Sequence, residues 1–177
     1  MKKLLSVAVA SLVLAACATM TQTQTSAIMH MTTDYGNGQG VEIGKVIFTD
    51  TDQGLKVIVN VQGLTPGEHG FHVHQNPSCA PTVVNGQIEW AGAAGGHYDP
   101  AQTGVHAGPS GGGHKGDLKP LYVDMTGKVN TSFFVHGVTA DEFKNHSLII
   151  HAGGDNFADT PYPLGGGGAR FACGIIK

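Results

Sequence analysis

Leu55-Lys56-Val57-Ile58-Val59-Asn60-Val61-Gln62 decides the fold class. Residues 55, 57, 59 and 61 are all apolar, while Lys56, Asn60 and Gln62 lie between them. Side chains alternate across a strand, so this is a half-buried β-strand with one face in a core. Val41 to Thr49 reads as its neighbour, joined to it through the turn-rich link Asp50-Thr51-Asp52-Gln53-Gly54. Further strands are expected at Ile28–Thr33, Gly70–Gln75, Leu121–Thr126, Lys128–His136, Ser147–His151 and Arg170–Ile176. Eight short strands with turns between them predict an all-β sandwich or barrel rather than an α/β fold. One brief helix is signalled, where Thr139-Ala140-Asp141-Glu142 has the spacing of a capping box ahead of Phe143 to His146. Asn76 to Pro120 and Ala152 to Gly168 fit no element, and structureless loops this long in a small domain point to function.

The 177 residues suit one domain, and 41% hydrophobic residues suffice for a core. Ten Lys and Arg face thirteen Asp and Glu, with no basic block or stripe, which argues against nucleic acid as a partner. The unusual entries in the composition are 27 Gly and 10 His. Little charge with much Gly suggests shaped loops, and so many imidazoles suggest metal.

Met1-Lys2-Lys3 followed by the apolar run Leu4 to Ala16 reads as an export signal, too short to span a bilayer. Leu14-Ala15-Ala16-Cys17 resembles a bacterial lipobox, in which Cys17 becomes the lipidated first residue. The alternative is an ordinary signal peptide cut nearby. Ala18 after Cys17 resembles the pattern of lipoproteins sorted to an outer membrane, so the chain is expected in a bacterial periplasm, held by that lipid. Loss of residues 1–16 removes two Lys, leaving eight Lys and Arg against thirteen acids. Residues 17–27 then read as a flexible tether of Thr, Gln and Ser, with the folded domain spanning 28–177.

With Cys17 set aside, Cys79 and Cys173 remain as a candidate disulfide in an oxidising compartment, the alternative being two buried thiols.

Gly70-Phe71-His72-Val73-His74 places two imidazoles at i and i+2 of a strand, on one face and about 7 Å apart. His97, His106, His114 and Asp117 follow on the Gly-rich loop, three imidazoles and a carboxylate that match the four-coordinate preference of zinc. His151 closes the apolar run Leu148-Ile149-Ile150.

These motifs, with Gly95-Gly96-His97-Tyr98-Asp99-Pro100, Gly113-His114-Lys115-Gly116-Asp117-Leu118, His151-Ala152-Gly153-Gly154-Asp155-Asn156 and Gly165 to Ile176, resemble copper/zinc superoxide dismutase of the bacterial periplasmic type. The likeness covers about residues 28–177. It implies an eight-stranded Greek-key β-barrel, flattened into a sandwich, with two long functional loops. It also implies dismutation of superoxide to oxygen and hydrogen peroxide by an enzyme with one copper and one zinc ion per subunit. Copper would be held by His72, His74, His97 and His151, and zinc by His97, His106, His114 and Asp117, with His97 shared. Arg170 resembles the family's anion-docking guanidinium, and Asp155 resembles its carboxylate bridging the free nitrogens of His72 and His106.

His69, His136 and His146 read as structural, and alternation sends His30 to the face opposite Met29 and Met31. Trp90 reads as a contact residue or local packing. The loop between His151 and Arg170 departs from eukaryotic relatives in having no Lys or Arg, so guidance of the anion falls to Arg170, Lys115 or Lys119. The subunit is open between monomer and homodimer. Two rival readings stay open, a copper-buffering lipoprotein that needs no Arg170 and a zinc-stabilised interaction domain that needs only the second ligand group.

Overall fold

The computed structural model describes residues 22–32 and 40–177; the expected export signal, Cys17, the start of the tether and Thr33 lie outside them. Seven strands form one curled antiparallel sheet: β1 (Gln24–Met31), β2 (Glu42–Thr51), β3 (Gly54–Gln62), β5 (Phe71–His74), β9 (Lys128–Val135), β10 (Ser147–His151) and β11 (Arg170–Ile175). Their order is β5-β10-β11-β1-β2-β3-β9. The chain therefore runs β1-β2-β3 as neighbours, crosses to the far edge for β5, returns beside β3 as β9, and crosses again for β10. That is the Greek-key crossing of an all-β barrel. A two-stranded sheet of β4 (Gly67–His69) and β8 (Leu121–Val123) and a small hairpin of β6 (Thr82–Val84) and β7 (Gln87–Glu89) complete it.

β3 behaves as its alternation predicts: Leu55, Val57, Val59 and Val61 are buried, and each such side chain contributes about 1.5–3 kcal/mol over exposure. They pack on Val46 and Phe48 of β2, Val129 and Val135 of β9, and Leu148 and Ile150 of β10. The link between β2 and β3 is tighter than expected, since the strands run to Thr51 and resume at Gly54.

Three differences from the sequence reading have physical causes. β1 begins at Gln24, so residues 24–27 are strand rather than tether; Thr25 and Ala27 are buried, and Thr25 Oγ1 donates to Ala140 O at 3.3 Å. Small and polar residues fill 24–27, and the register of that stretch against β2, not its hydrophobicity, secures it. The segment 76–120 holds the β6–β7 hairpin, turning through Asn85 (φ 52) and Gly86 (φ 78), the left-handed pair that a two-residue hairpin turn requires. Gly70–Gln75 holds only β5, and β4 just before it, which the sequence does not signal, pairs with β8 in a different sheet. The helix α1 (Ala140–Phe143) has its expected cap, with Glu142 N donating to Thr139 Oγ1 at 3.3 Å, but the Glu142 carboxylate pairs with Lys115 Nζ.

Alternation in β1 buries Met29 and packs Met31 on the core while His30 is partly exposed on the other face. Among the described residues no helix is long and apolar enough to cross a membrane.

Cys79 and Cys173 form a disulfide across 94 residues, joining the first long loop to β11. Closing a loop of that length constrains the unfolded chain by about 4–5 kcal/mol in the chain-entropy picture. Replacing both cysteines with Ser should therefore lower the denaturant midpoint by the equivalent of several kcal/mol and raise m, because the unfolded chain without the cross-link exposes more surface; an unshifted midpoint would show that the bridge carries no stability.

Candidate metal centre

The site sits where β5 and β10 pair. His72 and His74 leave one face of β5, with Ile149 opposite His72 and Ser147 opposite His74, and His151 ends β10. The first long loop is drawn onto β5 by two isolated ladder bridges, His74 with His97 and His72 with Asp117. Val73 N donates to Gly116 O at 2.9 Å and Tyr98 N to Val73 O at 2.8 Å. Strand pairing thus carries loop residues to the strand imidazoles, and Leu118, buried in the core, and Tyr98, packed against it, anchor the same loop.

Each ring has one nitrogen engaged and the other turned inward. His74 Nδ1 donates to Gly95 O at 2.8 Å, and His151 Nδ1 to Gly168 O at 3.2 Å, which leaves their Nε2 atoms 3.3 Å apart. His72 Nε2 donates to Asp155 Oδ2 at 2.7 Å, and His97 Nδ1 lies 2.9 Å from Asp117 Oδ1. Buried and without a hydrogen-bond partner are His72 Nδ1 and His97 Nε2. Ligand atoms of His72, His74, His97 and His151 lie within 4.8 Å of one another. Four imidazole nitrogens so gathered fit copper.

The second group centres on Asp117. His106 Nδ1 lies 2.9 Å from Asp117 Oδ2, and His114 Nδ1 lies 3.5 Å from Asp117 Oδ1. The tightest set around it is His72, His97, His106 and Asp117. His72 has given Nε2 to Asp155 and shares its remaining nitrogen with the first group. His114, whose buried Nδ1 has no hydrogen-bond partner, is the free fourth donor. Three imidazole nitrogens and one carboxylate suit zinc. His97 borders both groups, its Nδ1 facing Asp117 and its Nε2 the other imidazoles.

Burial sets the protonation state. It pushes His74 and His151 well below the ordinary imidazole range, reinforced by the neighbouring rings. His97 is lowered to about 4, chiefly by burial, with Asp117 opposing. These rings are neutral at physiological pH, so their lone pairs are free for a cation without first losing a proton. Burial acts in the same direction on His106, but Asp117 and Asp155 outweigh it and raise that ring to about 9. Both carboxyls lie well below their usual range, because the imidazoles beside them, His97 and His106 at Asp117 and His72 and His106 at Asp155, outweigh the burial penalty.

Asp155 ties the groups together, its Oδ2 on His72 Nε2 and its Oδ1 on His106 Nε2, each at 2.7 Å. Arg170 opens β11: Nη1 donates to Ala91 O at 2.9 Å and Nη2 to Gly95 O at 2.8 Å. The Gly95 carbonyl therefore accepts from both Arg170 and His74, which seats the guanidinium one peptide away from the first group. The other histidines stand outside the two groups. His69 is fully buried and bonds His151 O and Thr65 O, and His146 Nδ1 donates to Gln75 O.

The roles of three residues escaped the sequence reading. Glu68 Oε1 accepts from Asp155 N at 3.0 Å. Glu89 Oε1 lies 3.2 Å from Arg170 Nη1. At Gly165 a Cβ would stand 2.1 Å from Asp155 Oδ1 and 2.7 Å from His106 Nε2, so only Gly lets that hydrogen bond form. The Gly run at 165–168 was the available signal for Gly165; an isolated Glu gives none.

The family model described as "Copper/zinc superoxide dismutase (SODC)" matches residues 42–176. A "Superoxide dismutase [Cu-Zn]" of Brucella abortus is 53% identical over 141 residues, 79% of this chain and 82% of its own length. The Escherichia coli K12 protein of that name is 47% identical over 150 residues, 84% of this chain and 86% of its own. A "Superoxide dismutase [Cu-Zn] 2" of Salmonella typhimurium is 46% identical over 176 residues, 99% of either chain. The structure of the Brucella abortus Cu/Zn enzyme superposes with a TM-score of 0.84 at 49% identity, covering 88% of this chain and 100% of that one. A monomeric copper, zinc superoxide dismutase from Salmonella enterica gives 0.76 at 46%, with the same coverage. A match to the family model across most of the folded part, joined to relatives alike in sequence and in fold, leaves one conclusion: this chain belongs to the copper/zinc superoxide dismutase family.

Proposed function

We propose that this chain converts two superoxide anions and two protons into one molecule of oxygen and one of hydrogen peroxide. The observation that carries the reading is His97, a buried ring with one nitrogen toward each of two ligand groups. Copper would be held by His72 Nδ1, His74 Nε2, His97 Nε2 and His151 Nε2, and zinc by the Nδ1 atoms of His97, His106 and His114 with Asp117. Bound copper supplies a one-electron couple and bound zinc a fixed charge that cannot change oxidation state.

The protein contributes orientation, charge and a proton. Gly95 O, Gly168 O and Asp155 fix the tautomers of His74, His151 and His72, so that the donor atoms are set before any ion arrives. Arg170, partly buried and held by two carbonyls, presents a fixed positive charge to the incoming anion. His97 Nε2, shielded from bulk water, is the atom that takes up a proton as charge accumulates and returns it to the departing peroxide. Asp155 holds a ring of each group through rigid 2.7 Å contacts, coupling their positions.

For location, we read export to the periplasm and lipidation at Cys17 with outer-membrane attachment. The basic-apolar leader and the Cys79–Cys173 disulfide, which suits an oxidising compartment, support export. The Salmonella enterica neighbour is named monomeric, which favours a monomer over a homodimer.

Purified, reconstituted protein should contain about one copper and one zinc per chain and dismutate superoxide; copper occupancy without turnover would make it a copper buffer instead. Arg170→Ala should cut kcat/KM by about tenfold or more while metal content stays unchanged. Equal activity would remove the guanidinium from the mechanism. Intact-mass measurement of the membrane fraction should show acyl chains on a protein beginning at Cys17, lost with release to the soluble fraction in Cys17→Ser; an unmodified soluble wild type would rule the anchor out.

A further inference from the structure

The guanidinium of Arg170 has a third partner besides the two carbonyls. Glu89, the last residue of β7, brings Oε1 to 3.2 Å from Nη1, the nitrogen that also donates to Ala91 O. The two ends of the pair differ in exposure: the Arg170 side chain is 12% accessible and the Glu89 side chain 47%. The pair borders a cavity of about 480 Å³ lined by the hairpin residues Ile88, Glu89 and Trp90 and by Gly168 to Arg170. The loop from 152 to 169 supplies Asp155 and Asp159 but no Lys or Arg to offset that carboxylate.

We propose that Glu89 sets the anion specificity of this site: its carboxylate holds the outer edge of Arg170 and weakens the guanidinium's field, so that small monoanions are accepted and more highly charged anions are turned away. This rests on the reading of Arg170 as the docking cation.

The two carbonyls can orient a guanidinium but carry no net charge to oppose it, whereas a carboxylate does both. Nη1 spends its two hydrogens on Ala91 O and Glu89, leaving Nε and the second Nη2 hydrogen for a ligand. A ligand docking there lies within a few ångströms of the Glu89 charge. Coulomb repulsion is proportional to the ligand's charge, so the penalty on a dianion is twice that on a monoanion in logarithmic units. Exposure of Glu89 and salt screening keep the effect modest, about 3-fold for a monoanion and hence about 10-fold for a dianion.

The test uses protein loaded with copper and zinc, titrated at constant ionic strength and at a pH where phosphate is mainly the dianion. Azide binding is followed through the copper absorption spectrum, and phosphate through its competition with azide. Glu89→Gln, which keeps an oxygen able to accept from Nη1, should tighten azide about 3-fold and phosphate about 10-fold. Glu89→Asp, which keeps the charge, should restore most of the wild-type discrimination. Equal tightening of both anions, no tightening of either, or an altered copper spectrum of Glu89→Gln before any anion is added would overturn the proposal. Arg170→Ala, titrated alongside, separates the two claims. If it leaves azide and phosphate binding unchanged, the docking reading fails and takes this inference with it. If it weakens both while Glu89→Gln has no effect, only the role of Glu89 is lost.

Discussion

A neutral imidazole offers one donor and one acceptor, and His97 is placed so that its two nitrogens face different groups of ligands. Four ring nitrogens of this site are buried with no hydrogen-bond partner, on His72, His97, His106 and His114. An unsatisfied buried polar atom costs on the order of 1–3 kcal/mol, so several together are a substantial debit in a small domain. A cation in each group satisfies all four at once. The barrel must therefore be stable enough to hold these rings in register before the ions arrive. The strand packing around Val57, Phe48 and Leu148 supplies that stability away from the site.

The loops around the site are shaped by polar ties as well as by the apolar burial of Leu118, Ala91 and Ala94. The first is drawn onto β5 through Val73 and Gly116, Tyr98 and Val73, and Gln75 and Gly96. It is fastened to β11 by the disulfide at Cys173, three residues after Arg170. The second loop folds back through Gly153 N to Gly167 O and through Asp155, whose backbone is held in turn by Glu68 of β4. Arg170 and Asp155 thus each stand where separate elements converge: the loop carbonyls with β11 in one case, and β4, β5 and both loops in the other. Gly165 allows the closest of these approaches, because any side chain there would fill the space between Asp155 and His106.

β3 was legible through its strict alternation and β10 through its continuous apolar run Leu148-Ile149-Ile150, because the signal that identifies each is the same burial that stabilises it. The His motifs were legible for a different reason, since ligand chemistry demands particular side chains at particular spacings. β1 was only partly legible. Gln24 to Ala27 carries too little apolar surface to announce itself, and its pairing with β2 is information held by another segment. The β6–β7 hairpin had a usable signal in Asn85-Gly86 between Val83-Val84 and Ile88, masked by the neighbouring Cys, Pro and Gly. Glu68 and Glu89 were not legible at all, because each acts on a group far away in sequence, Asp155 or Arg170.

What no spacing rule could supply is the choice of nitrogen on each ring. His72 and His74 leave the same face of the same strand two residues apart, yet they turn opposite nitrogens inward. The cause lies outside the strand: Asp155 takes Nε2 of one, and Gly95 O takes Nδ1 of the other. The same carbonyl also receives Arg170, so the contact that fixes a ligand's tautomer also positions the guanidinium. An acidic chain can in this way present a local positive site to an anion, because the burial that keeps the rings neutral also limits solvent screening of Arg170. Ligand geometry and anion recognition are consequently not separable in this protein; a change that moves the Gly95 carbonyl disturbs both.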